Sequence, residues 1–342
     1  ILNPNGAYSV LFSDVAMVQF SQAENDTGII TFGQLTGNFP PFTAEPKVSA
    51  GTFRYSSEVP ILAEAHGDIW INMDHDARPG ILNIGGTNYW TLEQPIAAGT
   101  VAYKVLLEEI THALGVDILG TDGIARNSEL DSHKYTITSY NVHPNMHFDD
   151  HVILGILQGE DIFGPFPKGL QLFDIAALQE IYGRDYSTRV METAYSKQGA
   201  FHSDLNDQSF IYTIWDGGGN DAIYAYDYTG PAKIDLRQGA FSSIGNDGSG
   251  HNGFLFTSDS TGITITKDIQ NVAIAFHTII ENATGTVQSD VIIGNAWSNR
   301  LEGGSGDDWL YGDGISYDGN EGFTDIDPND PDDPNRTKPA SN

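Results

Sequence analysis

Gly303-Gly-Ser-Gly-Asp-Asp-Trp-Leu-Tyr311 is the stretch on which the fold turns. Its glycines do not stand alone: Gly285, Gly294, Gly303 and Gly312 recur every nine residues. In the same phase the sixth position is Asp290, Asn299 and Asp308, and the eighth is Ile292, Leu301 and Leu310. Asp216-Gly-Gly-Gly-Asn-Asp-Ala-Ile-Tyr224 is a second copy that opens on aspartate. Three positions repeating together are not what a flexible glycine linker produces. Glycines permit the tight turn, the turn's carbonyls and the Asp carboxylate make an oxygen cage for a hard cation, and the large apolar residue points inward.

This is the G-G-x-G-x-D-x-U-x pattern of the RTX repeat, a parallel β-roll whose stacked turns share Ca²⁺. The calcium-site residues expected from it are Asp216, Gly218, Asp221, Asp290, Asn299, Gly303, Gly304, Gly306 and Asp308. Composition agrees with a cation-binding chain. Sixteen Lys and Arg against 46 Asp and Glu give a net charge of −30 over 342 residues. Phosphate affinity rests on basic side chains, so nucleic acid is not an expected partner. No apolar run reaches the roughly 18–20 residues of a membrane span. With no cysteine, thiolate metal sites, disulfides and Cys nucleophiles are excluded. After Gly312 the acid run from Asp327 to Pro334, broken by prolines, reads as a solvated tail.

The first half is organised differently. Ile29–Phe32 and Asp68–Met73 read as strands. Val101, Val105, Leu106, Ile110, Ala113 and Leu114 keep a 3.6-residue period, which predicts a helix over Val101–Leu114 with Thr100 at its start and Gly115 at its stop. A second helix is predicted over Leu170–Tyr182, ended by Gly183. Strand-then-helix order followed by a repeat predicts two domains, 1–190 of α+β type and 191–342 comprising a linker, the roll and an acidic tail.

The first helix carries Glu108-Glu-Ile-Thr-His-Ala-Leu-Gly115. Here the chain resembles the serralysin family, RTX metzincin metalloendopeptidases with a C-terminal β-roll, whose helix reads H-E-x-x-H-x-x-G-x-x-H. Ala65-His-Gly-Asp-Ile-Trp-Ile71, Leu172–Gly183 and Ile214–Asp221 extend the likeness along most of the chain. The resemblance implies an α+β metzincin-like catalytic domain followed by the RTX domain. It also implies secretion from a bacterium by a C-terminal-signal export route. Neither that signal nor further roll is visible in this chain, which opens at Ile1 as a processed or trimmed form would.

The zinc pattern departs from the family at three positions. Glu108 stands where the first zinc histidine is expected, Ile118 where the third is, and Thr138 where the Met of the following turn is. Glu109 keeps the general-base position, His112 the second-ligand position and Tyr140 the transition-state tyrosine. Three functional classes follow. Glu108 and Glu109, with His112 and Tyr140 in support, suit zinc-independent carboxylate acid/base hydrolysis, glycosides being the first substrate expected. Glu108, His112 and Asp117 are a conceivable zinc shell, with His133, His143, His147 and His151 nearby in sequence, for an atypical metallopeptidase. The third class is a non-catalytic pseudopeptidase that binds an extracellular saccharide or peptide.

Overall fold

The computed structural model describes residues 15–17, 32–35, 42–43, 69–72, 98, 101–116, 118, 124–126, 128–139, 141–145, 166–198, 210–245, 254–259, 262–312, 315–317 and 323–325. The chain divides into two compact units. One gathers Ile1–His143 and Phe148–Arg184, the other Pro144–His147 and Asp185–Asn342.

In the first unit, β1 (Phe32–Leu35) pairs in parallel with β3 (Ile69–Asn72), and β2 (Phe42–Thr43) pairs antiparallel on the other side of β3. Helix α1 (Val101–Ala113) lies against β2 and β3. Its apolar stripe forms the core face, with Leu106, Leu107 and Ile110 buried. The stop is the predicted one: Gly115 adopts φ 81°, a left-handed turn that a Cβ would disfavour. Helix α2 (Leu172–Tyr182) begins two residues later than predicted because Gln171 is its cap, and ends at Gly183. Inside that cap, the Asp174 carboxylate accepts the Gln171 backbone N–H at 2.8 Å.

The second unit is the roll. β4 (Ala194–Tyr195), β6 (Ala222–Tyr224), β12 (Asn282–Thr284) and β14 (Arg300–Glu302) form one parallel sheet, and β7 (Lys233–Asp235), β13 (Val291–Ile293) and β15 (Trp309–Tyr311) form another. A third sheet holds β5 (Tyr212–Ile214) parallel to β11 (Val272–Ile274). The register stacks like on like, Ala283 against Ile223 and Leu301, Ile292 against Ile234 and Leu310. Ile214, Ile223, Ile234, Leu236, Ile274 and Ile292 fill the interior. Burial of the eighth repeat position fades along the stack: Ile292 is fully buried, Leu301 partly, and Leu310 is 46% exposed. β14 and β15 end their sheets, so no further rung covers them among the described residues.

Two features were not legible as repeats. β8 (Phe241–Ser242) runs antiparallel to β11, and β9 (Phe254–Asp259) with β10 (Gly262–Asp268) forms a hairpin with a register shift between Ile265 and Lys267. Ile265 of that hairpin packs on the outer face of the β7-β13-β15 sheet with Trp309 and Tyr311. No helix among the described residues is long and apolar enough to cross a membrane.

Candidate functional site

The candidate residues of the first unit sit along α1 and on the turns that follow it. Lys104 and Glu108 are four residues apart and share a helix face. Lys104 Nζ donates to Glu108 Oε2 at 2.9 Å, and the two residues are only 3% and 2% exposed. Glu109 is also buried. His112 is half-buried, and its Nδ1–H donates to the Val116 carbonyl at 3.2 Å. That bond fixes the tautomer and leaves Nε2 as the lone-pair nitrogen, the posture of a metal-binding imidazole. Ile118 is packed into the core. Asp117 and Tyr140, together with His147 and His151, lie outside the described residues.

The turns beneath α1 form a dense polar core. Asp174 accepts the Thr136 hydroxyl at 2.6 Å and the Ile137 N–H at 2.9 Å, in addition to its own cap. Burial pushes its carboxyl up to about 6, opposed by those bonds and by the Lys104 charge. Thr138, at the expected Met position, donates its backbone N–H to the Thr136 hydroxyl. Ser139 donates its hydroxyl to Asp131 at 2.6 Å. His133 is buried, donating from Nε2 to the Ser139 carbonyl. Burial, then the Lys104 charge, holds its imidazole well below the usual range. His133 therefore stays neutral at pH 7.

Among the described residues, the donors at the expected zinc positions are His112 and a Glu108 already paired with Lys104. A dication at the Glu108 position faces a buried ammonium, and the third family position offers only the Ile118 side chain. Among the described residues no group of three or more His, Cys, Asp or Glu is arranged to hold a metal ion. Lys104 was missed in the sequence, although its i, i+4 spacing to Glu108 is plain there.

The roll does fit calcium. At its start Asp216 and Asp221 are both buried. Tyr195 donates its hydroxyl to Asp216 at 2.7 Å, and Asp221 Oδ1 accepts the Thr193 N–H at 2.7 Å. Asp221 Oδ2 is buried with no hydrogen-bond partner. Burial, together with the Asp216 and Glu281 carboxylates, pushes Asp221 up to about 6. A Cβ on Gly219 would strike Asp221 Oδ1 and the Met191 carbonyl, each at 2.7 Å. Oxygens thus converge from the repeat and from the 186–193 loop, whose part the sequence pattern did not reveal.

The second cage lies between 285–290 and 303–308. The Asp290 N–H donates to Asp308 Oδ1 at 2.9 Å, and burial pushes the Asp290 carboxyl up to about 6. A Cβ on Gly285 would land on the Gly303 carbonyl and Asp290 Oδ2, and one on Gly306 would meet the Gln288 carbonyl at 2.7 Å. Gly304 and Gly306 adopt φ 105° and 119°, backbone open to glycine. An orphaned carboxylate oxygen and glycines that keep space between oxygens are the marks of a hard-cation cage. Asn299, another of the expected ligands, donates its Nδ2 to the Glu281 carbonyl at 3.1 Å.

Residues 184–269 match the family described as Peptidase M10 serralysin C terminal. The chain is 32% identical over 142 residues to the metallopeptidase AprA of Pseudomonas marginalis, covering 40% of this chain and 25% of that protein. It is 29% identical over 317 residues to a serralysin of Proteus mirabilis, covering 85% and 53%. A similar match, 28% over 315 residues, is made to serralysin G of Dickeya chrysanthemi, covering 85% and 52%. The chain spans about half the length, or less, of these relatives. The resemblance to the serralysin family therefore extends from the roll through most of the chain.

Proposed function

We propose that this chain is a secreted, calcium-stabilised, serralysin-like protein that binds extracellular peptide without zinc-dependent cleavage. The observation that carries the reading is the buried Lys104–Glu108 ion pair at the position of the first zinc ligand. It places a fixed positive charge where the family's metal would be approached and uses the carboxylate within its own helix. The α+β unit keeps the metzincin-like framework in this reading, and the relatives' names as peptidases point to a peptide ligand before a saccharide.

The zinc-independent hydrolase needs two carboxyl groups open to substrate. Glu108 is 2% exposed and bonded to Lys104, which counts against that role and against glycosides as the first substrate. Glu109 is buried as well. The atypical metallopeptidase retains only His112 in ligand posture among the described residues.

The test is an assay of the calcium-loaded chain on casein and on a quenched peptide library, with and without added zinc. The expected result is peptide binding with no turnover in either condition. Turnover lost to chelation and restored by zinc would establish the metallopeptidase instead. On a glycoside panel run alongside, turnover that is lost in Glu109→Gln would establish the carboxylate hydrolase.

A further inference from the structure

The roll's turns stack along two edges. Turns 216–221, 275–281 and 294–299 lead into β6, β12 and β14; turns 225–232, 285–290 and 303–308 lead out of the same strands. The nonapeptide phase makes 294–299 and 303–308 equivalent, yet the sixth-position side chain of one donates hydrogen bonds and that of the other can only accept them.

In 285–290, Asp290 Oδ1 accepts the Ala232 N–H at 2.6 Å and Oδ2 the Thr286 N–H at 2.5 Å, and in 303–308 Asp308 Oδ1 accepts the Asp290 N–H at 2.9 Å; both side chains present oxygen alone. In 294–299 the sixth position is Asn299. Its Oδ1 accepts the Asn295 N–H at 2.8 Å, and its Nδ2 donates to the Glu281 carbonyl at 3.1 Å and to Asn295 Oδ1 at 2.9 Å. A backbone N–H on one side and a carbonyl on the other fix which end of the amide is nitrogen. The second repeat position, Gly304 in the complete copy, is Asn295 here. It is buried, and its Nδ2 donates to Ile280 O at 2.8 Å and Leu236 O at 3.1 Å, carbonyls of two other rungs. Glu281, at the sixth position of the turn below, accepts the Asp221 N–H at 2.8 Å and so faces away from Asn299. Asn271 repeats the device at another corner, donating to Phe210 O and Ile244 O at 3.0 and 2.9 Å.

A cation gathers carbonyl oxygens by accepting their lone pairs; an amide NH₂ gathers them by donating hydrogen. Both cannot hold one place, because a cation set against N–H hydrogens is repelled. We propose that the edge formed by 275–281 and 294–299 is a metal-free lock. Asn295 and Asn299 do there with amide groups what calcium does between 285–290 and 303–308. Calcium is confined to the turns built on Asp216 and Asp221 and on Asp290 and Asp308. The lock keeps the middle rungs paired when calcium is absent.

The inference rests on the calcium reading of the roll, and the experiment separates the two. Calcium bound per chain is counted by native mass spectrometry on the full chain, and melting is followed in calcium and in chelator. Asp308→Ala should lose one calcium and lose stability chiefly in calcium. Asn299→Ala and Asn295→Ala should keep the wild-type calcium count and lower the melting temperature equally in both conditions. Loss of a calcium in Asn299→Ala would overturn the lock.

Should an asparagine variant fail to fold, hydrogen exchange on the chelated wild type decides. Amides of 294–299 should stay protected while those of 303–308 exchange; equal exchange at both would overturn the proposal. A wild-type chain that takes up no calcium would sink the underlying reading, and the exchange pattern would still test the lock by itself.

Discussion

Lys104 acts on three described side chains of the first unit at once. Its ammonium is paired with Glu108, and its field lowers both His133 and Asp174. Removing one member of a buried pair leaves the other uncompensated, at a cost on the order of 3–5 kcal/mol, whereas removing both costs much less. Glu108→Gln should therefore destabilise strongly, and Lys104→Met added to it should recover part of the loss. Strict additivity in denaturant melts would contradict the pairing. Asp174 gives the second prediction. Its folded carboxyl, near 6, holds a proton more tightly than an unfolded aspartate near ~3.9. This group's contribution to stability is thus fullest below about 4 and is lost as pH rises through about 6. Asp174→Asn should flatten that slope relative to wild type. It should also cost about 1–3 kcal/mol, since an amide replaces an oxygen that accepts N–H donors. An unchanged slope would show that Asp174 is not the titrating group. Neither residue stands out in sequence: Asp174 is one of 46 acids, and only folding brings Thr136 and Ile137 to it.

At the scale of elements, the turns decide more than the strands. The nine-residue phase made the roll's rungs legible because each rung is a local unit whose glycines, acid and apolar residue lie within one turn. Helix α1 was legible for the same reason, its period and its Gly115 stop both being local. The β9–β10 hairpin escaped because it interrupts the period, and the 186–193 loop because backbone carbonyls leave no trace in side-chain identity. Gly285→Ala should weaken calcium binding at the second cage at least tenfold, since its Cβ would meet the Gly303 carbonyl and Asp290 Oδ2. Gly312→Ala, with nothing among the described residues within 4 Å of the added carbon, should leave calcium binding unchanged. Equal titration curves for both variants would refute the cage geometry. Gly115→Ala, at φ 81°, should cost about 1 kcal/mol without touching calcium.

At the scale of the whole molecule, two units of different character share one chain. The roll joins an acidic, cation-seeking surface to an apolar interior, with buried asparagines fixing the edge that lacks carboxylates. The first unit carries a buried Lys104–Glu108 ion pair on α1 and packs Ile118 into its core. The likeness was readable from motifs; the pairing of Glu108 with Lys104 was not, because a buried Lys–Glu pair and a solvated one look alike in sequence. One measurement tests the central claim most directly. The full chain is dialysed against calcium with trace zinc, and its metal content is read by mass spectrometry. The account predicts calcium in whole-number amounts and no zinc. One zinc per chain would contradict it and return His112 and its neighbours to a metal centre.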